Sequence, residues 1–345
     1  ALLGVILSTF YFIKYLKSPT RKNIWLAGLA LGLAMLTKFS TFLLIPYFLA
    51  LILFYIWIFR PHQKFLLFKF YFLILIIGFL LVVWPVYYLF TFNYQPERQL
   101  NDTQNILGSF GSRNIAGIVE WMADKPVIRA LGHYGLGLLM VQQRSSGGNT
   151  TYFLGEVSRE AWKHYFPIVY LMKEPIPWLI LAITVLLFST AQLFKQINLK
   201  RKQYDISLYH NIRSWLENNF AEFAMILWLL IYWTTSIASN LNIGVRHLLP
   251  TYPFAIILVA GQIMRIIQNG KIKNQNDSLK LKINRQGRVP KFYIFTFAFY
   301  ILLGWYIFET IRVWPYYLAY FNQFALLRPS WAPEGQAGGG YLYVV

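Results

Sequence analysis

Apolar and polar positions follow one another along this chain in long blocks, not in the short periods of a soluble helix or strand. Apolar runs cover Ala1–Leu16, Ile24–Thr37, Thr41–Phe59, Phe70–Phe92, Ile176–Phe194, Phe220–Ala238, Leu248–Gln268 and Phe292–Arg312. A helix needs about 20 residues to cross the hydrocarbon of a bilayer. The blocks therefore predict an all-α polytopic bundle of about eight spans, with Phe70–Phe92 the clearest and Ile24–Thr37 the shortest. Gly28 and Gly32, four apart beside Ala30 and Ala34, suit close packing of one helix against another. Trp84, Tyr87 and Tyr88 fall where an interfacial aromatic belt belongs.

The polar blocks between these runs fix an orientation. Asn93–Pro175 is one long loop holding seven of the thirteen acidic residues against eight basic ones. It lacks the Lys and Arg excess that marks a cytoplasmic loop. That excess sits instead at Lys14–Lys22, at Arg60–Lys69, at Lys195–Arg213, and in Lys271–Lys291, which carries seven basic residues and one aspartate. The two kinds of loop alternate without a clash. Asn93–Pro175 and the C-terminal segment Val313–Val345 are thus expected on the extracytoplasmic face. Trp121, Trp162, Trp178, Tyr134, Tyr152 and Tyr165 suggest that the long loop folds down onto the membrane.

Composition agrees. Of 345 residues, 57% are apolar and 13% charged, against about 25% charged in a soluble domain. The net charge of +19 lies mostly in loops beside spans, which argues for positive-inside topology and against nucleic acid. The absence of cysteine excludes disulfides, thiolate metal sites and a cysteine nucleophile. The five histidines form no ligand pair, so no metal site is readable. Nothing resembles a signal peptide. The chain is read as a single transmembrane domain over 1–345, a fragment missing sequence at both ends.

Candidate chemistry centres on Ser239–Phe254 (SNLNIGVRHLLPTYPF), which places Arg246 and His247 at a membrane boundary between two spans. Ionisable groups at that depth either snorkel to headgroups or bind something polar. Asn240, Asn242 and Gly244 crowd the same turn, and Pro250 and Pro253 follow it, so the turn is read as one wall of an anion-binding site. Lys38 is expected at another outer turn. Cations there suit a phosphate, because charge-assisted hydrogen bonds to phosphate are strong. Arg144, Glu156, Arg159, Glu160, Lys163, His164, Tyr165, Lys173 and Glu174 stand in the outer loop. Of these, Lys163 and Arg159 are read as headgroup contacts. Glu156 and Glu160 are read one helical turn apart. Lys173-Glu174-Pro175-Ile176-Pro177 is read as a rigid, kinked re-entry into the membrane.

Four blocks, Gly28–Lys38 (GLALGLAMLTK), Tyr152–Pro177 (YFLGEVSREAWKHYFPIVYLMKEPIP), Asn242–Phe254 (NIGVRHLLPTYPF) and Pro315–Asn322 (PYYLAYFN), resemble those of a bacterial family of membrane glycosyltransferases. That family is related to the protein O-mannosyltransferases and lipid A aminoarabinose transferases, within the GT-C superfamily. The resemblance implies a GT-C-like bundle and a multi-pass enzyme, expected in the bacterial cytoplasmic (inner) membrane. It would move a sugar, with inversion, from a polyprenyl-phosphate-linked donor to a lipid, glycan or protein acceptor on the outer face. That mechanism fits the reading of the residues: Arg246 first, then Lys38, with His247, are the candidates for holding the donor phosphate, and Arg144, Glu156, His164, Tyr165 and Lys173 are candidates for a substrate loop. The catalytic base is unknown: the family's acidic residue would precede Ala1. The family's Asp-Ser-Asn and Asp-Trp-Gly-Gln stretch has no match after the irregular Leu326–Gly340. The fragment is therefore expected to be inactive alone. No cofactor is assigned, and a divalent metal is left undecided.

Two other classes compete. A secondary transporter calls for ionisable residues in mid-span and repeated halves, whereas these spans are clean in their centres and no repeat is found. A ligase or polymerase of lipid-linked glycans also pairs a long outer loop with arginines, but the four blocks resemble it less.

Overall fold

The computed structural model describes residues 1–59, 62, 64–204, 208–280 and 291–326. The expectations for Arg60, for residues 281–290 of the basic stretch Lys271–Lys291, and for Leu326–Gly340 beyond Leu326 lie outside the described residues. In chain order the elements are α1 (Leu2–Lys17), α2 (Arg21–Thr37), α3 (Leu44–Phe59), α4 (Lys64–Gly78), α5 (Trp84–Thr91), α6 (Pro96–Leu107), α7 (Arg113–Ala123) and α8 (Arg129–Gly147). They continue as β1 (Thr151–Phe153), β2 (Glu156–Ser158), α9 (Tyr165–Lys173), α10 (Ile176–Tyr204), α11 (Leu208–Asn218), α12 (Phe220–Ala238), α13 (Tyr252–Lys280) and α14 (Lys291–Val313). The chain is a helical membrane protein.

Among the described residues, five helical stretches are long and apolar enough to cross a bilayer: Phe39–Phe59, Lys64–Thr91, Phe220–Ala238, Val245–Asn269 and Tyr293–Val313. A sixth arises if Tyr165–Lys173 and Ile176–Gln192, bent by 117°, count as one broken span. Of the eight predicted segments, the two left over are α1 and α2, with 16 and 17 residues. At 1.5 Å per residue they reach only about 24–26 Å, short of a hydrocarbon core of about 30 Å.

The chain divides into two compact units. The first comprises Ala1–Thr150, Ser158–Lys163 and Leu216–Pro253; the second comprises Thr151–Val157, His164–Trp215 and Phe254–Val345. Within the first unit, small residues set how closely helices approach. A Cβ on Gly28 would lie 2.6 Å from Ile77 Cγ2, and one on Gly32 would lie 2.5 Å from Val82 Cβ and 2.6 Å from the Gly78 carbonyl. The α2 glycine pair thus lets α2 lie directly on α4 and on the π-helical turn Phe79–Val83 that joins α4 to α5.

The predicted long loop is largely helical. α6, α7 and α8 share a core of Leu107, Phe110, Ala116, Val119, Leu136 and Leu139. They are tied to the end of α5 by polar contacts. Arg129 donates to the Tyr94 carbonyl (2.9 Å) and the Thr91 carbonyl (2.7 Å), satisfying carbonyls that a helix C-terminus leaves free. The Trp84 indole donates to the Val127 carbonyl at 2.7 Å. The buried Tyr134 ring sits edge-on to Tyr87, at 5.3 Å, and tilted against Phe39, at 5.5 Å. Gly137 approaches Phe39 so closely that a Cβ would meet the ring at 2.4 Å. Of the aromatics named in the sequence, Tyr134 thus packs α8 against α5 and the turn at Phe39.

In the second unit, Leu154 and Gly155 both take positive φ, of 50° and 96°, in the two-residue turn of the β1–β2 hairpin. Such turns match the twist of the paired strands. Glu156 therefore lies on a strand, and Glu160 follows in a bend with its N–H donated to Ser158 Oγ at 2.9 Å. This corrects the reading that placed the two glutamates one helical turn apart, because the hairpin turn claims that segment. The α9–α10 bend follows from Pro175: a residue before proline is driven out of the helical region, and Glu174 is extended at φ −88°, ψ 141°. Val185, Val259 and Ile263 form a core with Trp178, Leu181 and Phe299, joining α10, α13 and α14.

Candidate functional site

In the first unit, two turns beside the apolar stretches Phe39–Phe59 and Phe220–Ala238 carry cations. The first closes α2. Thr37 Oγ1 donates back to the Ala34 carbonyl at 2.7 Å, and Thr41 Oγ1 lies 3.0 Å from the same carbonyl and 2.7 Å from that of Lys38. The chain leaves the helix at Lys38, whose backbone is extended (φ −166°, ψ 134°), and enters a 3₁₀ turn over Phe39–Leu43. Lys38 is half-buried at this exit.

The second turn follows α12. Ser239 Oγ and Ser145 Oγ are 2.8 Å apart, the Asn240 N–H donates to the Ser145 carbonyl at 3.0 Å, and the Asn240 amide donates to the Ser146 carbonyl at 3.1 Å. Lys163 Nζ donates to the Ala238 carbonyl at 2.9 Å, so it terminates α12 where a headgroup contact was expected. Gly244 then adopts φ +84°, ψ 171°, a region open in practice to glycine alone. That reversal starts a 3₁₀ helix, Val245–Thr251, and sets Arg246 outward with its Nε donating to the Ile243 carbonyl at 3.1 Å.

Tyr232 joins the two turns. Its hydroxyl donates to the His247 carbonyl at 3.0 Å and shares a hydrogen bond with Ser40 Oγ at 3.2 Å. Its ring lies 5.6 Å from the His247 ring. Behind it, the buried Trp228 donates to the Pro250 carbonyl at 3.1 Å, fixing the 3₁₀ helix to α12. The Lys38 turn and the Arg246–His247 turn are thereby one structure.

Electrostatics make the cluster unusual. Burial, and then the positive charge of Arg246, lower the Lys38 pKa below the ordinary lysine value. Among the described residues neither Lys38 nor Arg246 has a carboxylate within 4 Å; the surface ion pairs Arg98–Asp102, Arg113–Glu120 and Lys125–Asp124 lie elsewhere. Two like charges held near one another favour an anion, which would relieve the repulsion and supply charge-assisted hydrogen bonds.

The substrate-loop residues expected from the sequence do not gather in the same way. Arg144 is exposed in the last turn of α8, in the first unit. Glu156, His164, Tyr165 and Lys173 fall in the second. Glu156 and His164 are exposed, the His164 ring lying 5.6 Å from Phe153. Tyr165 is buried between Phe153 and Phe166, where its ring serves packing. Lys173 ends α9 with Nζ 3.5 Å above the Phe321 ring, a cation–π contact.

Three groups were not anticipated. Tyr232 and Ser40 carry no sequence sign of their pairing, since they are 192 positions apart. Glu309 does carry one, as an acidic residue near the end of an apolar helix. It is buried and accepts from Trp305 Nε1 at 2.9 Å, Gln323 Nε2 at 2.5 Å, and the Tyr320 hydroxyl. It pins the segment after α14 and borders a cavity of about 280 Å³ that Arg312, Tyr316 and Phe321 also line. That cavity contains none of the residues expected to bind substrate.

No family model, curated protein or solved structure matches this chain.

Proposed function

We propose that this chain is part of an integral-membrane glycosyltransferase of GT-C type, and that Lys38 and Arg246 hold the phosphate of a polyprenyl-phosphate-linked sugar. The observation carrying this reading is the like-charged pair at turns beside two long apolar helical stretches, tied together through Tyr232 and without an acidic partner among the described residues. In this account α1 and α2 join the longer helices to make eight spans, and both turns lie on the outer face of a bacterial cytoplasmic membrane. The resemblance in four blocks of sequence supplies the choice of sugar transfer; the cation cluster supplies the chemistry.

The acceptor oxygen would attack the anomeric carbon opposite the phosphate and invert it. The bond from that carbon to the phosphate oxygen breaks, and its electron pair stays on the polyprenyl phosphate. The acceptor proton passes to a base not assigned to any residue here. Charge therefore grows on the phosphate as the bond breaks, and cations fixed beforehand around that oxygen lower the barrier. Arg246 offers a planar two-pronged donor; Lys38 offers a compact charge. His247 lines the same turn.

Photo-crosslinking tests the assignment. A polyprenyl-phosphate sugar bearing a diazirine near its phosphate should label peptides containing Lys38–Thr41 or Ile243–Thr251, and excess unlabelled polyprenyl phosphate should suppress this. Label scattered over the lipid-facing helices, or undiminished by competitor, would count against the proposal.

A further inference from the structure

We infer that α7 is an interfacial helix whose exposed edge, Ile115, Ile118 and Trp121 with Val127 just beyond it, is immersed in the lipid bilayer. The inference is independent of the sugar-transfer reading. Successive residues of an α-helix step about 100° around the axis. On α7 this puts Ala116, Val119 and Ala123 on one side, and they are buried against α8 and its neighbours. Ile115, Ile118 and Trp121 form the adjoining side, exposed by 45%, 59% and 57%, and Val127 is exposed by 69%. The apolar arc of the helix thus extends well beyond the part its protein partner covers. A large apolar edge left open on a soluble surface marks an interaction site.

Continuity identifies the occupant. The Val127 carbonyl is the acceptor of the Trp84 indole. Trp84 opens the last segment of the 28-residue span Lys64–Thr91 and stacks on Tyr88 at 5.3 Å. Leu89, Phe90 and Phe92 at that span's end are 74%, 73% and 64% exposed, as lipid-facing residues are. The α7 edge therefore adjoins the exposed apolar end of a stretch long and apolar enough to cross a bilayer. Its charges are settled internally: Arg113 pairs with Glu120 at 2.9 Å, and Lys125 with Asp124 at 2.7 Å. These two pairs leave no net charge on α7 itself, and Arg129 beyond it is spent on the Thr91 and Tyr94 carbonyls, so insertion is driven by apolar area and by the amphipathic tryptophan.

The chain has no cysteine, so single cysteines can be placed freely. Ile118→Cys, Trp121→Cys and, as a control on the opposite side of α7, Arg113→Cys would carry an environment-sensitive fluorophore, with the whole chain reconstituted in purely phosphatidylcholine vesicles. Expected at 118 and 121 are blue-shifted emission, strong quenching by lipids nitroxide-labelled near the headgroup, and poor quenching by aqueous iodide; position 113 should behave oppositely. Addition of anionic lipid should change little. Iodide quenching equal at all three positions would overturn the inference. So would protection at 118 and 121 without lipid quenching, which would assign the edge to a protein partner or a second copy.

Discussion

Lys38 is half-buried beside Arg246, and both burial and that neighbour lower its pKa. The direction has two consequences. The unfolded chain holds more protons than the folded one between the lowered pKa and the ordinary lysine value. The charged lysine therefore costs stability below its folded pKa, and that cost is relieved as pH rises through it. Phosphate binding runs the other way, being strongest while the ammonium is charged. Affinity for polyprenyl phosphate should thus fall with rising pH before an ordinary lysine would titrate, and Lys38→Arg should flatten that fall; an unchanged profile in Lys38→Arg would separate Lys38 from the ligand. Tyr232→Phe keeps the ring contacts but deletes the hydroxyl that joins the turns. One such hydrogen bond is worth about 1 kcal/mol, so donor affinity should weaken several-fold with the protein still folded. Unaltered affinity would mean that the two turns hold their places without it.

At the scale of elements, the sequence was informative where a physical rule is local. Gly28 and Gly32 announced close packing, and the close approach to Gly78 and Val82 bears it out. Gly32→Leu should therefore separate α2 from α4 and lower the thermal midpoint of the purified protein. By contrast Gly111, where an added Cβ would meet nothing within 4 Å, should accept alanine with little change. Pro175 likewise foretold the bend into α10. The helices inside Asn93–Pro175 were not foreseen, because a mixed polar and apolar composition reads as loop when the neighbours that cover its apolar positions are far away in sequence. Arg129 shows why: its part in capping α5 depends on Thr91 and Tyr94, more than 30 positions earlier. The glutamate at 156 was misread for a similar reason, since the Leu154–Gly155 turn outweighs helical spacing.

Across the whole molecule, the apolar blocks foretold a helical membrane protein, and among the described residues five long apolar helices coincide with five of the eight blocks. The turns bearing Lys38 and Arg246 were each legible as cations at a span end. Their union was not, because it runs through Tyr232 and Ser40, which only the folded chain brings together. Orientation is open to direct test with added cysteines. Ser146→Cys should react with an impermeant thiol reagent in intact cells, whereas Ser18→Cys should react only after lysis; the reverse pattern would invert the proposed topology.

The central claim is that Arg246 and Lys38 bind the phosphate of a polyprenyl carrier, and equilibrium binding tests it most directly. The chain, in nanodiscs of zwitterionic lipid, would be titrated with polyprenyl phosphate and, separately, with an anionic phospholipid as headgroup control. A lost charge-assisted hydrogen bond costs about 1.5–3 kcal/mol, or roughly ten- to 150-fold in affinity. Arg246→Ala should show that loss for polyprenyl phosphate, Arg246→Lys should recover part of it, and the headgroup control should bind weakly to every variant. Equal affinity of parent and Arg246→Ala for polyprenyl phosphate, or headgroup binding as tight as carrier binding, would make Arg246 an anchor in the lipid surface and contradict the account.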